Sequence, residues 1–166
     1  RGNYVVGVHI SDVSHYVRPG TKLWEEALQR STSVYMVDTV IPMLPHILSN
    51  GICSLNPGVD RLTLSCIMEV TPQGEVIDFD FVDCVINSNK AMTYEDVNLI
   101  LEQGEVPEDY EEFVDNLLLM DKLATKLEKR KIRRGYVNLG NHEVNIEMSE
   151  DGKPVKFSEK KTGKAE

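Results

Sequence analysis

A chain of 166 residues, of which 41% are hydrophobic, is long enough to form one domain with a buried core. Its formal net charge of −9 at pH 7 excludes nucleic-acid binding over the whole surface, because such binding depends on neutralising phosphates. The three cysteines Cys53, Cys66 and Cys84 are widely spaced and odd in number. This argues against a disulfide framework or zinc knuckle and favours a cytoplasmic location.

Both ends of the sequence indicate a piece of a longer polypeptide. Residues 1–3 contain no Met and no charged-then-apolar leader, so no secretory signal is expected. Residues 162–166 do not form a recognisable stop. No apolar run approaches the length that spans a membrane, so no membrane contact is expected.

The first part of the chain is predicted to form short elements separated by turns. In chain order they are an alternating strand over 4–10, a helix from a Thr21 cap to about 30, an extended stretch over 33–37, and a short helix ended by Asn50-Gly51. Pro42 and Pro45 stiffen the segment before that last helix.

The second part contains the clearest strand signals. In chain order the elements are strands over 62–71 and 75–87 joined at Pro72-Gln73-Gly74, a helix capped by Thr93, a helix from Pro107 to about 134, and a hairpin of 143–148 with 155–158. The predicted class is α+β, with a mostly antiparallel mixed sheet and flanking helices.

Charge is divided between two neighbouring stretches of this second part. Residues 102–115 contain seven acids and no base, and residues 122–134 contain seven bases. Acids at the start of a helix and bases at its end match the helix dipole. A phosphate-contacting role for the basic end is the alternative interpretation.

A run of motifs between residues 7 and 65 carries a sharper signal. It comprises G-V-H-I-S-D-V-S-H-Y-V, I-P-M-L-P, C-S-L-N-P and V-D-R-L, in this order. With its spacing, this run resembles the ribonuclease II/ribonuclease R (RNB) family, and the chain is most like the ribonuclease R type. The resemblance covers nearly the whole chain and implies that 1–166 is an internal fragment of one RNB catalytic domain.

The resemblance implies a parent enzyme that degrades single-stranded RNA processively from its 3′ end to nucleoside monophosphates, with Mg²⁺ as cofactor. Family members hold the metal through an upstream D-x-D-D aspartate cluster and support the phosphate through a downstream arginine motif, and both motifs are absent here. Hydrolysis by this route needs converging carboxylates. We therefore expect no catalytic and no metal-binding residue in this fragment, and no nuclease activity from it alone.

Three residues are RNA-binding candidates through the resemblance. Tyr35 matches the family tyrosine that stacks on the RNA 3′ end; a lone tyrosine here would otherwise be interpreted as half-buried core. Arg61 matches the V-D-R-L arginine, for which phosphate contact and an internal pair with Asp60 or another carboxylate are equal alternatives. Leu139 takes the place of a family aromatic that stacks on bound bases, unless Tyr136 substitutes for it.

Other carboxylates favour structural interpretations. Asp12 matches a family position, but it is expected to brace a turn beside Ser14, because a lone carboxylate makes a poor metal site. Asp78 and Asp80 project from one strand face, which predicts a solvated face opposite a buried one that carries Phe79 and Phe81.

Three hypotheses follow for the parent protein: an exoribonuclease, a non-catalytic RNA-binding member of the same family, or a structural scaffold. The fragment is also expected to self-associate, because its first strand and last hairpin leave open edges and uncovered apolar faces.

Overall fold

A computed structural model of the chain describes residues 2–138, 144–159 and 162–166. The strands are β1 Tyr4–Ser11, β2 Val34–Tyr35, β3 Val40–Ile41, β4 Asp60–Val70, β5 Val76–Asn87, β6 Val144–Met148 and β7 Pro154–Glu159. The α-helices are α1 Val13–Tyr16, α2 Lys22–Arg30, α3 Tyr94–Asn98 and α4 Val114–Arg133. Two π-helical segments cover Ile47–Ile52 and Leu99–Gln103, and a 3₁₀ turn covers Glu111–Phe113.

The largest sheet has the strand order β1-β4-β5. The predicted hairpin between β4 and β5 is confirmed, with Thr71 N donating to Glu75 O at 2.8 Å. Gly74 closes this turn with φ of 80°, a conformation that glycine adopts without steric cost. Strand β1 runs antiparallel to β4, since Asp12 N, just after β1, donates to Leu62 O near the start of β4.

Two further antiparallel strand pairs lie within the described residues. In the first, β2 pairs with β3 so that Tyr35 lies opposite Val40. In the second, β6 pairs with β7 so that Ile146 lies opposite Phe157. The α+β class and the antiparallel sheets agree with the expectation from sequence.

The chain divides into two compact units. The first comprises 1–6, 68–78 and 92–166, and its core is formed by Val97, Ile100, Tyr110 and Leu117. The second comprises 7–67 and 79–91, and its buried residues include Leu44, Leu48, Thr63 and Ser65. No helix in the described ranges is long and apolar enough to cross a membrane.

Helix starts set by local capping were predicted correctly. The Thr21 hydroxyl accepts a hydrogen bond from Trp24 N at 3.2 Å and begins α2. The Thr93 hydroxyl accepts one from Asp96 N at 3.1 Å and begins α3. Both threonines satisfy a backbone donor that has no partner within the helix.

The predicted start of the long helix at Pro107 was wrong. Asp109 has φ of 65°, which interrupts helical geometry, and α4 begins only at Val114 after the 3₁₀ turn. The interruption places Tyr110 in the core, where its hydroxyl donates to Asp96 Oδ2 at 3.0 Å. The predicted short helix also ended too early, because the π-helical segment continues past Asn50-Gly51 to Ile52.

Two predicted apolar faces also differ from the structure. For α4, helical spacing predicts an apolar stripe of Phe113, Leu117, Met120, Ala124 and Leu127. The buried residues of α4 are Leu117 and Leu123, whereas Met120 is 65% exposed. On β5 the expected buried face is open, with Phe79 and Phe81 exposed and in edge-to-face contact at 5.7 Å between ring centres.

Candidate functional site

The Tyr35 side chain stands on a two-residue hairpin in the second unit. Tyr35 lies opposite Val40, and Met36 N donates to Thr39 O at 2.8 Å across the turn. Tyr35 is 77% exposed, so the alternative interpretation of a half-buried core residue is wrong. In the described part of the chain, neither its hydroxyl nor its ring has a hydrogen-bonding or aromatic partner. An aromatic face is therefore open to solvent.

The base of this hairpin is held from both sides. Arg30, the last residue of α2, donates from Nη1 to Pro42 O at 3.2 Å and from Nε to Glu26 Oε1 at 2.8 Å. Ser33 Oγ accepts a hydrogen bond from Met43 N at 3.0 Å. Because these contacts tie the chain before β2 to the chain after β3, they fix the position from which Tyr35 projects.

Arg61 binds backbone carbonyls instead of a carboxylate. Its Nε donates to Ser54 O at 2.9 Å, its Nη1 to Asp60 O at 2.9 Å and its Nη2 to Gly51 O at 3.4 Å. The Asp60 carboxylate accepts instead from Asn87 Nδ2 at 2.9 Å. The expected alternative of an ion pair with Asp60 is therefore not observed. A guanidinium carries five N–H donors, so Arg61 retains donors for a further acceptor.

Asp12 is the N-cap of the short helix α1, as expected of a turn brace. Its Oδ1 accepts from Ser14 Oγ at 2.6 Å and from His15 N at 3.0 Å. The Ser14 hydroxyl is the largest cause that lowers the pKa of this carboxyl below its ordinary value of 3.8. Asp12 also lines an open pocket with Thr63, Asp83 and other residues of the second unit.

A buried polar chain along β4 was missed by the sequence analysis. Ser65 Oγ lies 2.7 Å from His9 Nδ1 and 2.9 Å from Thr63 Oγ1, and Ser65 is 0% exposed. Thr63 and Ser65 share a strand face, and the alternation of Leu62-Thr63-Leu64-Ser65 predicts that this polar face is exposed. The structure buries it and leaves Leu64 half-exposed, so the local pattern carried no signal for this network. These three side chains hydrogen-bond to one another and link β1 to β4.

The second stacking candidate, Leu139, lies outside the described residues. The neighbouring Tyr136 is described: it follows Gly135, whose φ is 91°, and Tyr136 N donates to Lys131 O at 3.1 Å. Its ring is half exposed and lies 4.0 Å from Lys131 Nζ, measured to the ring centre. Tyr136 thus belongs to the first unit, whereas Tyr35 and Arg61 belong to the second.

The side chains of the described residues are not arranged as a divalent metal site. Across 2–138, 144–159 and 162–166, no group of three or more His, Cys, Asp or Glu side chains is placed to hold an ion. Asp12, the carboxylate that matches a family position, accepts hydrogen bonds as a helix cap. The site therefore offers an aromatic face and guanidinium donors, which suit contact with bases and phosphates.

Two bacterial proteins named ribonuclease R are similar to this chain over nearly its whole length. Ribonuclease R 1 of Lactococcus lactis is 44% identical over 166 residues, and ribonuclease R of Thermotoga maritima is 47% identical over the same length. Each alignment covers 99% of this chain but only 20% and 23% of the relative, so the chain spans about a fifth of their length.

Solved structures show the same relationship. Mycoplasma genitalium RNase R in complex with ribose-methylated single-stranded RNA matches with a TM-score of 0.89 and 31% identity. The match covers 97% of this chain and 25% of that protein, which has also been solved with double-stranded RNA. The family model described as RNB domain matches residues 1–166. The chain therefore belongs to the RNB domain family.

Proposed function

We propose that this chain is one part of a ribonuclease R-like enzyme that hydrolyses single-stranded RNA processively from its 3′ end to nucleoside monophosphates. The observation that carries the proposal is the exposed ring of Tyr35, 77% accessible on a hairpin held at its base, in a chain that belongs to the RNB family. Relatives that match almost the whole chain are named ribonuclease R.

Tyr35 is proposed to stack on a base at the RNA 3′ end. Every base has a π-face, so stacking holds any sequence, and each base–aromatic contact contributes about 1–3 kcal/mol. The ring is accessible and the hairpin beneath it is tied by Arg30 and Ser33, so little ordering is needed when a base arrives.

Arg61 and Leu139 complete the proposed contacts. The Arg61 donors that do not bind Gly51, Ser54 or Asp60 are available to a phosphate oxygen. Leu139 stands by sequence where relatives carry an aromatic, so it offers apolar contact without a full stack. We therefore propose that the RNA strand is held less tightly at Leu139 than at Tyr35.

Hydrolysis is proposed to use Mg²⁺ bound by residues that are not in this chain. The residues of this chain are proposed to hold and orient RNA. We propose that residues 1–166 are inactive alone, that they form part of a single RNB catalytic domain, and that the enzyme works in the cytoplasm.

A second candidate is a non-catalytic RNA-binding protein of the same family. The two proposals separate when the full-length polypeptide that carries this chain is incubated with 5′-labelled single-stranded RNA and Mg²⁺. The exoribonuclease should convert the labelled RNA to a short limit product with few intermediates, and a blocked RNA 3′ end should stop the reaction. RNA that is bound but never shortened would support the second candidate and overturn the first.

A further inference from the structure

Four basic residues form one row along helix α4. Lys122, Lys126, Lys129 and Arg133 follow each other at spacings of four, three and four residues within Val114–Arg133. At 3.6 residues per turn these spacings place all four on one face, over a length of about 16 Å. We call these four residues the basic row.

The basic row faces solvent. The buried residue Leu117, which packs into the core of the first unit, lies on the far side of α4 from the row, and the buried Leu123 lies about a quarter-turn away from the row. Lys122, Lys129 and Arg133 are exposed, and Lys126 is half-buried. In the described part of the chain, none of the four forms an ion pair with a carboxylate.

The contrast with Arg130 indicates that this row is not a structural charge cluster. Arg130 lies beside the row, donates from Nη1 to Gly74 O at 2.6 Å and reaches Glu75 Oε1 at 3.7 Å. It therefore anchors α4 to the β4–β5 turn. Lys129 and Arg133 have no such partner among the described residues, although the protein carries 27 acids and only 18 Lys and Arg.

The helix dipole does not account for the whole row. Its effect on a cation falls off within the last turn, which contains Arg133 but not Lys122 or Lys126. Four cations without described carboxylate partners on one face of an acidic chain are complementary to a polyanion.

An aromatic ring lies next to this surface within the same unit. Lys126 Nζ donates to Tyr4 Oη at 3.2 Å and lies 5.4 Å from the centre of that ring. A cation beside an aromatic ring suits a nucleic-acid strand, whose phosphates and bases require both kinds of contact.

We propose that the basic row is a second RNA-binding surface, which contacts the phosphates of single-stranded RNA in addition to the Tyr35 stack. This inference rests on the proposed function, which supplies RNA as the polyanion. The row binds through charge and is independent of sequence, so its contribution depends on salt.

The test measures binding of the full-length polypeptide to a labelled 30-nucleotide oligoadenylate, with metal chelated so that no RNA is cleaved. The variant is Lys129→Ala with Arg133→Ala. Each lost contact to single-stranded nucleic acid lowers the slope of log affinity against log salt by about 0.7, so two lower it by about 1.4. When the salt concentration is raised from 50 to 200 mM, the affinity of both proteins falls. The factor by which it falls should be about sevenfold smaller for the variant than for the parent.

The matched control is Lys22→Ala with Lys156→Ala, which removes the same charge from two lysines paired with Glu25 and Glu147. The control should keep the parental slope. A control slope that falls equally would show a net-charge effect, and an unchanged slope in the basic-row variant would show no contact; either result overturns the proposal.

Failure of the proposed function is distinguishable in the same assay. Tyr35→Ala removes a stack, which should weaken binding equally at all salt concentrations without changing the slope. A changed slope for the basic-row variant therefore supports this surface whether or not Tyr35 contributes.

Discussion

The guanidinium of Arg61 donates from Nε to the backbone carbonyl oxygen of Ser54 at 2.9 Å. Its Nη2 also reaches the carbonyl of Gly51 at 3.4 Å, so one side chain holds the loop that ends the π-helical segment. Neither acceptor carries a full charge. Arg61 can therefore support the loop and still present a positive charge to a phosphate.

Replacing Arg61 should separate these two roles. Arg61→Lys keeps the charge but loses the planar fork, so it should lower the free energy of unfolding by about 1–3 kcal/mol, as should Arg61→Ala. RNA affinity of the full-length polypeptide should fall further for Arg61→Ala than for Arg61→Lys. Urea denaturation of the 166-residue chain and filter binding measure the two effects. Wild-type stability in Arg61→Lys would contradict the loop-holding role.

Asp12 should contribute a pH-dependent part of the stability. Its pKa is lowered in the folded state, chiefly by the Ser14 hydroxyl, so the charged form stabilises the fold above the unfolded pKa near 3.8. That stabilisation is lost as the pH falls through the lowered folded pKa. Melting temperatures between pH 6 and pH 2 should therefore fall less steeply for Asp12→Asn than for the parent. Parallel curves for the two proteins would show that Asp12 is not the group responsible.

The buried polar chain on β4 should be sensitive to a single hydroxyl. Ser65→Ala leaves His9 Nδ1 and Thr63 Oγ1 without this partner, which should cost about 1–3 kcal/mol of unfolding free energy. Leu64→Thr, at a half-exposed position on the opposite face of the same strand, is the control and should change stability little. Equal losses in the two variants would mean that the hydroxyl network is not stabilising.

The exposed apolar face of β5 should make the isolated 166-residue chain self-associate. Phe81 is 63% exposed and contacts the Phe79 ring edge-on, a pairing that leaves apolar area open to a second copy. Sedimentation velocity should show a mass that rises with concentration, and Phe81→Ser should reduce it. Leu28→Ser, at an equally exposed position on α2, should not. A monomer at all concentrations would contradict this prediction.

Local chemistry explains which parts of the fold were predictable. Thr21 and Thr93 act within three residues of their partners, and Gly74 needs only its own backbone, so sequence patterns predicted these features. The start of α4 depends on Tyr110 reaching Asp96, a tertiary contact over 14 residues that no local pattern contains.

The candidate site divides in the same way. The RNB motifs identified Tyr35 and Arg61 as candidates, but nothing local indicated that Tyr35 would be exposed or that Arg61 would bind backbone carbonyls. Both outcomes depend on chain segments that meet only in the folded unit. The apolar face of β5 is likewise exposed where the alternating pattern predicts burial. The pattern does not specify which segment would cover that face.

The central claim is that Tyr35 holds the RNA 3′ end in the intact enzyme, and the product ladder of Tyr35→Ala in the full-length polypeptide tests it most directly. Loss of a stack that contributes about 1–3 kcal/mol should affect the shortest oligonucleotides most, because they have few other contacts. The variant should release a longer limit product while it still degrades long RNA, and Tyr35→Phe should match the parent. Because the ring is exposed, melting of Tyr35→Ala should be nearly unchanged. An unchanged limit product together with a strongly lowered melting temperature would contradict the account and make Tyr35 a structural residue.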